Sequence, residues 1–281
     1  MIQLGEFNTL KVSGSHRAGV LLRDDEQQEV LLKGDADHAI GDTVDAFIFL
    51  DANGELAATT RAPLACVGQV AWMQIVTVNQ YGAFADWGLP KDLFIPFGEQ
   101  QHELRSGSHV LVRVYVDNQN RLAGSTKLDR WIEETADDYK FGQQVSIIIG
   151  DRTELGFKAV INHQVWGLLY NNELTKPVRK GQLMDAYINR VRNDGKIDLI
   201  LSKPGYSKSK IDEAADHILA KLAEHDGLLM LSDKSPPEAI RSVFGVSKKI
   251  FKQAIGALYK QRRIQLDGKS IRLNPTRQNK D

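Results

Sequence analysis

The sequence of 281 residues contains one cysteine, Cys66, which excludes an internal disulfide framework and a cysteine-built zinc site. Prolines number only 8, and 42% apolar with 26% charged residues is a globular composition, far from that of a disordered or collagen-like chain. The formal net charge is zero, so the chain is not a uniform polycation that coats nucleic acid by charge alone. The start, Met1-Ile2-Gln3-Leu4-Gly5-Glu6, has neither a basic leader nor an apolar run. With no oxidising chemistry to explain, a reduced cytoplasmic protein is expected. Residues 62–85 carry no charge, yet Pro63, Gln69, Gln74, Asn79 and Gln80 interrupt them. A membrane helix needs about 20 predominantly apolar residues; this stretch suits two buried strands, and no membrane partner is expected.

Catalytic motifs are missing too. There is no Gly-x-x-x-x-Gly-Lys loop, no His-Glu-x-x-His and no Gly-x-Ser-x-Gly. The 7 histidines are scattered singly, and the pairs Asp24-Asp25 and Asp137-Asp138 have the character of solvated turns. The expectation is a protein without catalytic residues, metal or cofactor.

The zero net charge conceals a gradient. Residues 1–62 hold 5 basic and 11 acidic side chains, residues 63–127 hold 5 of each, residues 139–205 hold 10 and 6, and residues 206–281 hold 15 and 9. Between them, residues 128–138 carry five acids against one arginine and read as a short helical linker. A footprint for a polyanion therefore lies in the second half, where the alternative is a set of solvated faces.

Internal repetition organises the first 200 residues. Gly5 and Gly19, Gly68 and Gly82, and Gly142 and Gly156 are each 14 residues apart. A third glycine, Gly41, Gly107 or Gly181, opens an alternating apolar run in each unit. A hairpin-type turn then leads to a last strand at Leu56, Leu122 or Ile197. The middle unit reads as strands 70–78, 84–86, 93–96, 110–116 and 121–125. Glycine within a strand pattern marks a bulge or bend, here expected at Gly82, and such bends close a small antiparallel sheet. Five strands closed in about 65 residues is the OB-fold, a frequent binder of oligonucleotides.

Tyr81-Gly82-Ala83-Phe84-Ala85, Leu93-Phe94-Ile95-Pro96, Gly107, Asp117 and Arg121 together resemble the RNA-binding repeat of ribosomal protein S-one. The whole chain resembles the conserved virulence factor B family of bacterial RNA-binding proteins, in which three such barrels precede a winged helix. The resemblance implies a nucleic-acid face at Tyr81, Phe84, Asp117 and Arg121, with Pro96 standing where the repeat carries a histidine and Phe94 offering stacking area instead. Aromatic platforms stack bases at about 1–3 kcal/mol each without reading sequence, and unpaired RNA can splay its bases onto them. The competing reading puts one or both of Tyr81 and Phe84 in the core. In the third unit Leu155 and Lys158 stand at the aromatic positions, Tyr170 at the histidine position and Lys196 at the arginine position, which suits a phosphate backbone. The first unit has Ala18, Leu21 and Glu55 there and is acidic. It reads as structural or as a contact for a protein partner.

Beyond Tyr206 the apolar period changes from 2 to about 3.6. Ile211, Ala215, Ile218, Leu219 and Leu222 form one stripe with Ser209 as a cap, Ser235-Pro236-Pro237-Glu238 reads as a capping box, and Ser247 caps a third helix. Strands 264–266 and 270–273 flank Asp267-Gly268, completing a winged helix. Lys248, Lys249 and Lys252 on the third helix, and Arg262 and Arg263 before the wing, are candidate phosphate contacts; protein docking is the alternative.

The expected fold is thus mostly β with an α+β C-terminal domain. OB-fold barrels span 1–62, 63–127 and 139–205, a helical linker 128–138, a winged helix 206–275 and a tail 276–281. These elements use up the chain and leave no room for a separate catalytic domain. The expected function is binding of single-stranded RNA in post-transcriptional regulation. The alternatives are a DNA-binding regulator acting through the winged helix, or an accessory subunit of a nuclease or ribosome.

Overall fold

A computed structural model describes residues 1–34, 37–174, 177–203 and 206–274, so the tail 276–281 lies outside the described residues. It separates into two units, 1–201 and 202–281. The first barrel comprises β1 (Phe7–His16), β2 (Gly19–Arg23), β3 (Glu29–Lys33), β4 (Thr43–Leu50) and β5 (Leu56–Thr59), closed in the order β1-β2-β3-β5-β4. The second comprises β6 (Val70–Asn79), β7 (Gly82–Asp86), β8 (Leu93–Pro96), β9 (His109–Val116) and β10 (Leu122–Ser125). Its sheet order is β10-β9-β6-β7-β8, with the two edge strands adjacent but not joined by a ladder. The third, β11 (Gln144–Arg152), β12 (Gly156–Ile161), β13 (Val165–Tyr170), β14 (Leu183–Val191) and β15 (Ile197–Ile200), is closed like the first.

The glycine periodicity has a steric cause. At Gly19, Gly82 and Gly156 a Cβ would stand 1.9, 2.4 and 2.0 Å from the carbonyl oxygen of Leu32, Ile95 and Leu169, each on the barrel's third strand. No side chain fits where two backbones approach so closely. The bulge expected at Gly82 lies across the ladder instead, between Ile75 and Thr77 of β6, and β1 and β11 carry the matching irregularities. A bulge on the first strand bends it around the barrel and leaves the glycine strand in register.

The barrels are not beads on a string. Phe47 and Phe49 of the first barrel belong to the core of the second, and Phe47 meets Trp87 edge-on at 5.8 Å. Barrels two and three share a seam of Val70, Leu111, Leu128, Ile132, Ile148, Val160 and Trp166. Segment 128–138 is not a helix: it holds a single 3-10 turn, Leu128–Arg130, after which Glu133 bridges Val165 in parallel. Burial of Leu128 and Ile132 in the seam, and like charges in close succession, outweigh any helical tendency.

The seam contains a titratable strut. The backbone N–H of Val70 donates to Nδ1 of His163 at 3.1 Å, and Nη1 of Arg113 donates to the His163 carbonyl at 3.0 Å. Burial, and then the neighbouring Arg113 guanidinium, hold the imidazole pKa below its ordinary value. The folded state thus resists a proton that the unfolded chain accepts, so its stabilisation is complete above about pH 6.5 and is lost as pH falls from there through the lowered native pKa. Wild type should therefore lose thermal stability between pH 7.5 and 5 more steeply than His163→Asn, which tolerates the φ of 63° and does not titrate. Parallel pH profiles for the two proteins would remove His163 as the cause.

In the second unit, α1 (Tyr206–Glu224), β16 (Leu228–Leu229), α2 (Pro237–Phe244), α3 (Lys248–Lys260), β17 (Ile264–Leu266) and β18 (Ile271–Leu273) pack around Ile218, Leu222, Ile240, Phe251 and Leu258. Ser247 caps α3 by accepting from the Ile250 N–H at 3.3 Å. The other two expected caps differ. Helix α1 begins three residues before Ser209, and α2 has Pro236 at its N-cap without a side-chain bond, because the Ser235 hydroxyl accepts from the Ser232 N–H instead. Strand β16 adds a third member to the wing sheet, too short to be legible as a strand beforehand.

Candidate nucleic-acid interface

A groove of about 580 Å³ lies on barrel two, lined by residues of β7, β8 and the β9–β10 hairpin. Phe84 of β7 and Phe94 of β8 are cross-strand partners whose rings lie 5.2 Å apart, both half-buried. They join Asp117 and Arg121, which flank the β9–β10 turn, in lining this groove. Arg121 grips Oδ2 of Asp117 through Nε at 2.9 Å and Nη2 at 2.7 Å. Burial works against the Asp117 carboxylate, but the Arg121 guanidinium and the backbone N–H groups of Arg121 and Gln119 hold its pKa below the ordinary value. Tyr81 sits in the β6–β7 turn, outside the groove lining and 67% exposed. Neither Tyr81 nor Phe84 is a core residue. The first barrel supplies the far wall through Phe49, Leu50 and Gly54. Lys91 ties the wall on by donating to the Leu50 and Asp51 carbonyls at 3.3 and 2.8 Å.

The same turn recurs in every barrel. The N–H of Asp51, Asp117 and Arg192 donates to the carbonyl of Glu55, Arg121 and Lys196 at 2.9, 2.8 and 2.9 Å, which makes these residues equivalent. The last residue of each third strand, Lys33, Pro96 or Tyr170, is likewise equivalent, since each pairs with the barrel's regularly spaced glycine. In barrel one Lys33 ion-pairs with Asp51 at 2.7 Å, and in barrel three Arg192 donates to the Tyr170 hydroxyl at 2.6 Å. Pro96 has no such group, so Asp117 is left to Arg121.

In barrel three the matching groove, about 430 Å³, is lined by Lys158, Leu168, Arg192 and Lys196. Lys158 and Lys196 are brought together as expected, but Tyr170 is engaged through its hydroxyl rather than lining the groove. Arg192, absent from the sequence-based candidates, is held by Asp198 at 2.8 and 2.6 Å, and so its charge is largely neutralised there. Its signal was available in the turn Arg192-Asn-Asp-Gly-Lys196, at the position of Asp117.

On α3, Phe251, Ala254, Ile255 and Leu258 face the core, which turns Lys249, Gln253, Gly256 and Lys260 outward at 100° per residue. Lys252 is exposed beside this stripe, 3.9 Å from Asp233, whereas Lys248 is half-buried. Arg262 and Arg263 are exposed after the helix. Lys260 was missed because its place on the stripe depends on which face is buried. Among the described residues no helix is long and apolar enough to cross a membrane, and no group of three His, Cys, Asp or Glu side chains is placed to hold a metal.

Three five-stranded barrels, closed or nearly so, and a winged helix define a tandem OB-fold protein of nucleic-acid-binding type. The S1 domain family matches residues 4–61 and 67–127, and the CvfB-like winged helix domain matches residues 216–273. Over nearly its whole length the chain is similar to proteins named conserved virulence factor B. It is 26% identical to conserved virulence factor B of Staphylococcus epidermidis and 27% identical to that of Staphylococcus aureus, in each case over 96% of this chain and 94% of the relative. A crystal structure of a multidomain protein with nucleic acid binding domains from Streptococcus pneumoniae is 25% identical, covers 96% of this chain and 98% of its own, and superimposes with a TM-score of 0.41.

Proposed function

We propose that the chain is a non-catalytic binder of single-stranded RNA that acts post-transcriptionally in the cytoplasm. The observation that carries this reading is the groove of barrel two, where two neighbouring aromatic rings stand beside an arginine–carboxylate ion pair. Such rings accept any unpaired base, and the guanidinium supplies a cation for the backbone. A paired duplex keeps its bases out of reach of such a groove. The winged helix adds phosphate contacts through Lys248, Lys249, Lys252, Arg262 and Arg263. Its basic outward face also favours a second reading, a duplex-DNA contact by α3.

One titration separates the two. Binding of an unstructured RNA and of a DNA duplex is measured against salt, for wild type and for the full chain with Lys248, Lys249 and Lys252 replaced by Gln. On the RNA reading the variant binds RNA more weakly, and its plot of log affinity against log salt is flatter by about 0.7 for each phosphate that a lysine no longer neutralises. If only duplex binding changes, barrels and winged helix serve different ligands. If wild type prefers duplex DNA outright, the regulator reading replaces this one.

A further inference from the structure

The grooves of barrels two and three are built from equivalent positions, yet their third walls differ. Barrel one forms that wall for barrel two. For barrel three the acidic segment 128–138 does so. Glu134 lines the groove, its neighbour Thr135 stands where a side chain on Gly195 would be, and the N–H of Ala136 donates to the Gly195 carbonyl at 3.0 Å. Lys158 holds the place that Phe84 holds in barrel two. Its ammonium is bound by Asp129 at 3.3 Å and Glu134 at 3.0 Å, and lies 4.4 Å from the centre of the Trp166 ring. Both carboxylates are more than half exposed, so these are ion pairs that a competing anion can enter at little cost. Trp166 is only 8% exposed, lines the same groove, and its indole N–H finds no acceptor among the described residues.

We propose that barrel three carries a second backbone-binding groove masked by the chain's own acidic segment, with Asp129 and Glu134 standing in for phosphates of single-stranded RNA on Lys158. The proposal rests on the reading of barrel two as an RNA site and concerns how much of the bound strand reaches beyond it. Two anionic oxygens on one ammonium, in a groove also lined by the exposed Lys196, make a site for a phosphodiester. The acidic segment raises the requirement for entry, so weak or short polyanions are refused while a strand already anchored on barrel two displaces the carboxylates. Five acids against one arginine in this segment then have a use, since like charge in solution repels a strand that lacks such an anchor.

The test uses the full chain, a mixed-sequence single-stranded RNA and three variants. Asp129→Asn with Glu134→Gln should raise affinity about threefold and steepen the salt plot by about 0.7, because no freed carboxylates remain to take up the cations that the phosphate on Lys158 releases. Asp137→Asn with Asp138→Asn removes the same charge from exposed positions away from Lys158, and should do neither. Adding Lys158→Gln to the first variant should abolish its gain, and melting curves check that all three fold. Equal gains from both carboxylate pairs would show general repulsion, and an unchanged slope in the first variant would show Lys158 to be a strut; either result overturns the proposal. Failure of wild type to bind RNA, or indifference to loss of the barrel-two rings, would instead overturn the reading on which it rests.

Discussion

Replacing Phe84 and Phe94 together with Ala should weaken binding of single-stranded RNA by about 5- to 150-fold for each base stacked there, the equivalent of about 1–3 kcal/mol. The salt dependence should stay almost unaltered, because stacking releases few counterions. Both rings are half-buried on the outer side of barrel two, so truncation removes a platform without opening a core cavity. The urea midpoint of the variant should accordingly lie close to that of wild type. Tyr81→Ala should cost less, because the Tyr81 ring stands outside the groove lining. An affinity equal to wild type would remove barrel two as the stacking site. A large fall in stability would show that the rings serve packing.

The second large effect belongs to the fold. Gly82→Ala places a methyl 2.4 Å from the Ile95 carbonyl oxygen and 2.8 Å from the Phe94 ring, between two backbones that cannot both give way. A loss of about 3 kcal/mol or more is expected in urea unfolding, the upper end of overpacking costs. Gly107 supplies the control: its φ of +81° disfavours a side chain, yet nothing lies within 4 Å of an added Cβ. Gly107→Ala should therefore cost only the left-handed penalty of about 1–2 kcal/mol. Because Gly82 also positions Phe94, its replacement should weaken RNA binding as well, and the Gly107 variant should not. Equal costs at the two positions would show that close approach is not what demands glycine.

Much of this architecture was legible because it depends on local chemistry. Glycine spacings fixed three barrels, since each marks a place where the backbone itself leaves no room for a Cβ. The Asp267-Gly268 turn and the Ser247 cap were equally readable, each being a bond between near neighbours in sequence. Segment 128–138 was misread as helix for the opposite reason: its conformation is set by burial of Leu128 and Ile132 against Val70 of one barrel and Val160 and Trp166 of the next, residues distant from them in sequence. The charge of barrel three was misleading in the same way. Its excess of basic residues is real, but Arg192 is committed to Asp198 and Lys158 to Asp129 and Glu134, pairings that no count reveals.

The sequence alone determined the number of barrels and their place before the winged helix, because close backbone approach, hairpin turns and alternation act within a few residues; it paired Phe84 with Tyr81, whereas the fold pairs it with Phe94. Tertiary structure decided that Phe49 of the first barrel walls the groove of the second, and which carboxylates hold Lys158. Those outcomes rest on contacts between residues tens of positions apart. Their energies depend on three-dimensional distance and burial, which the order of residues does not state.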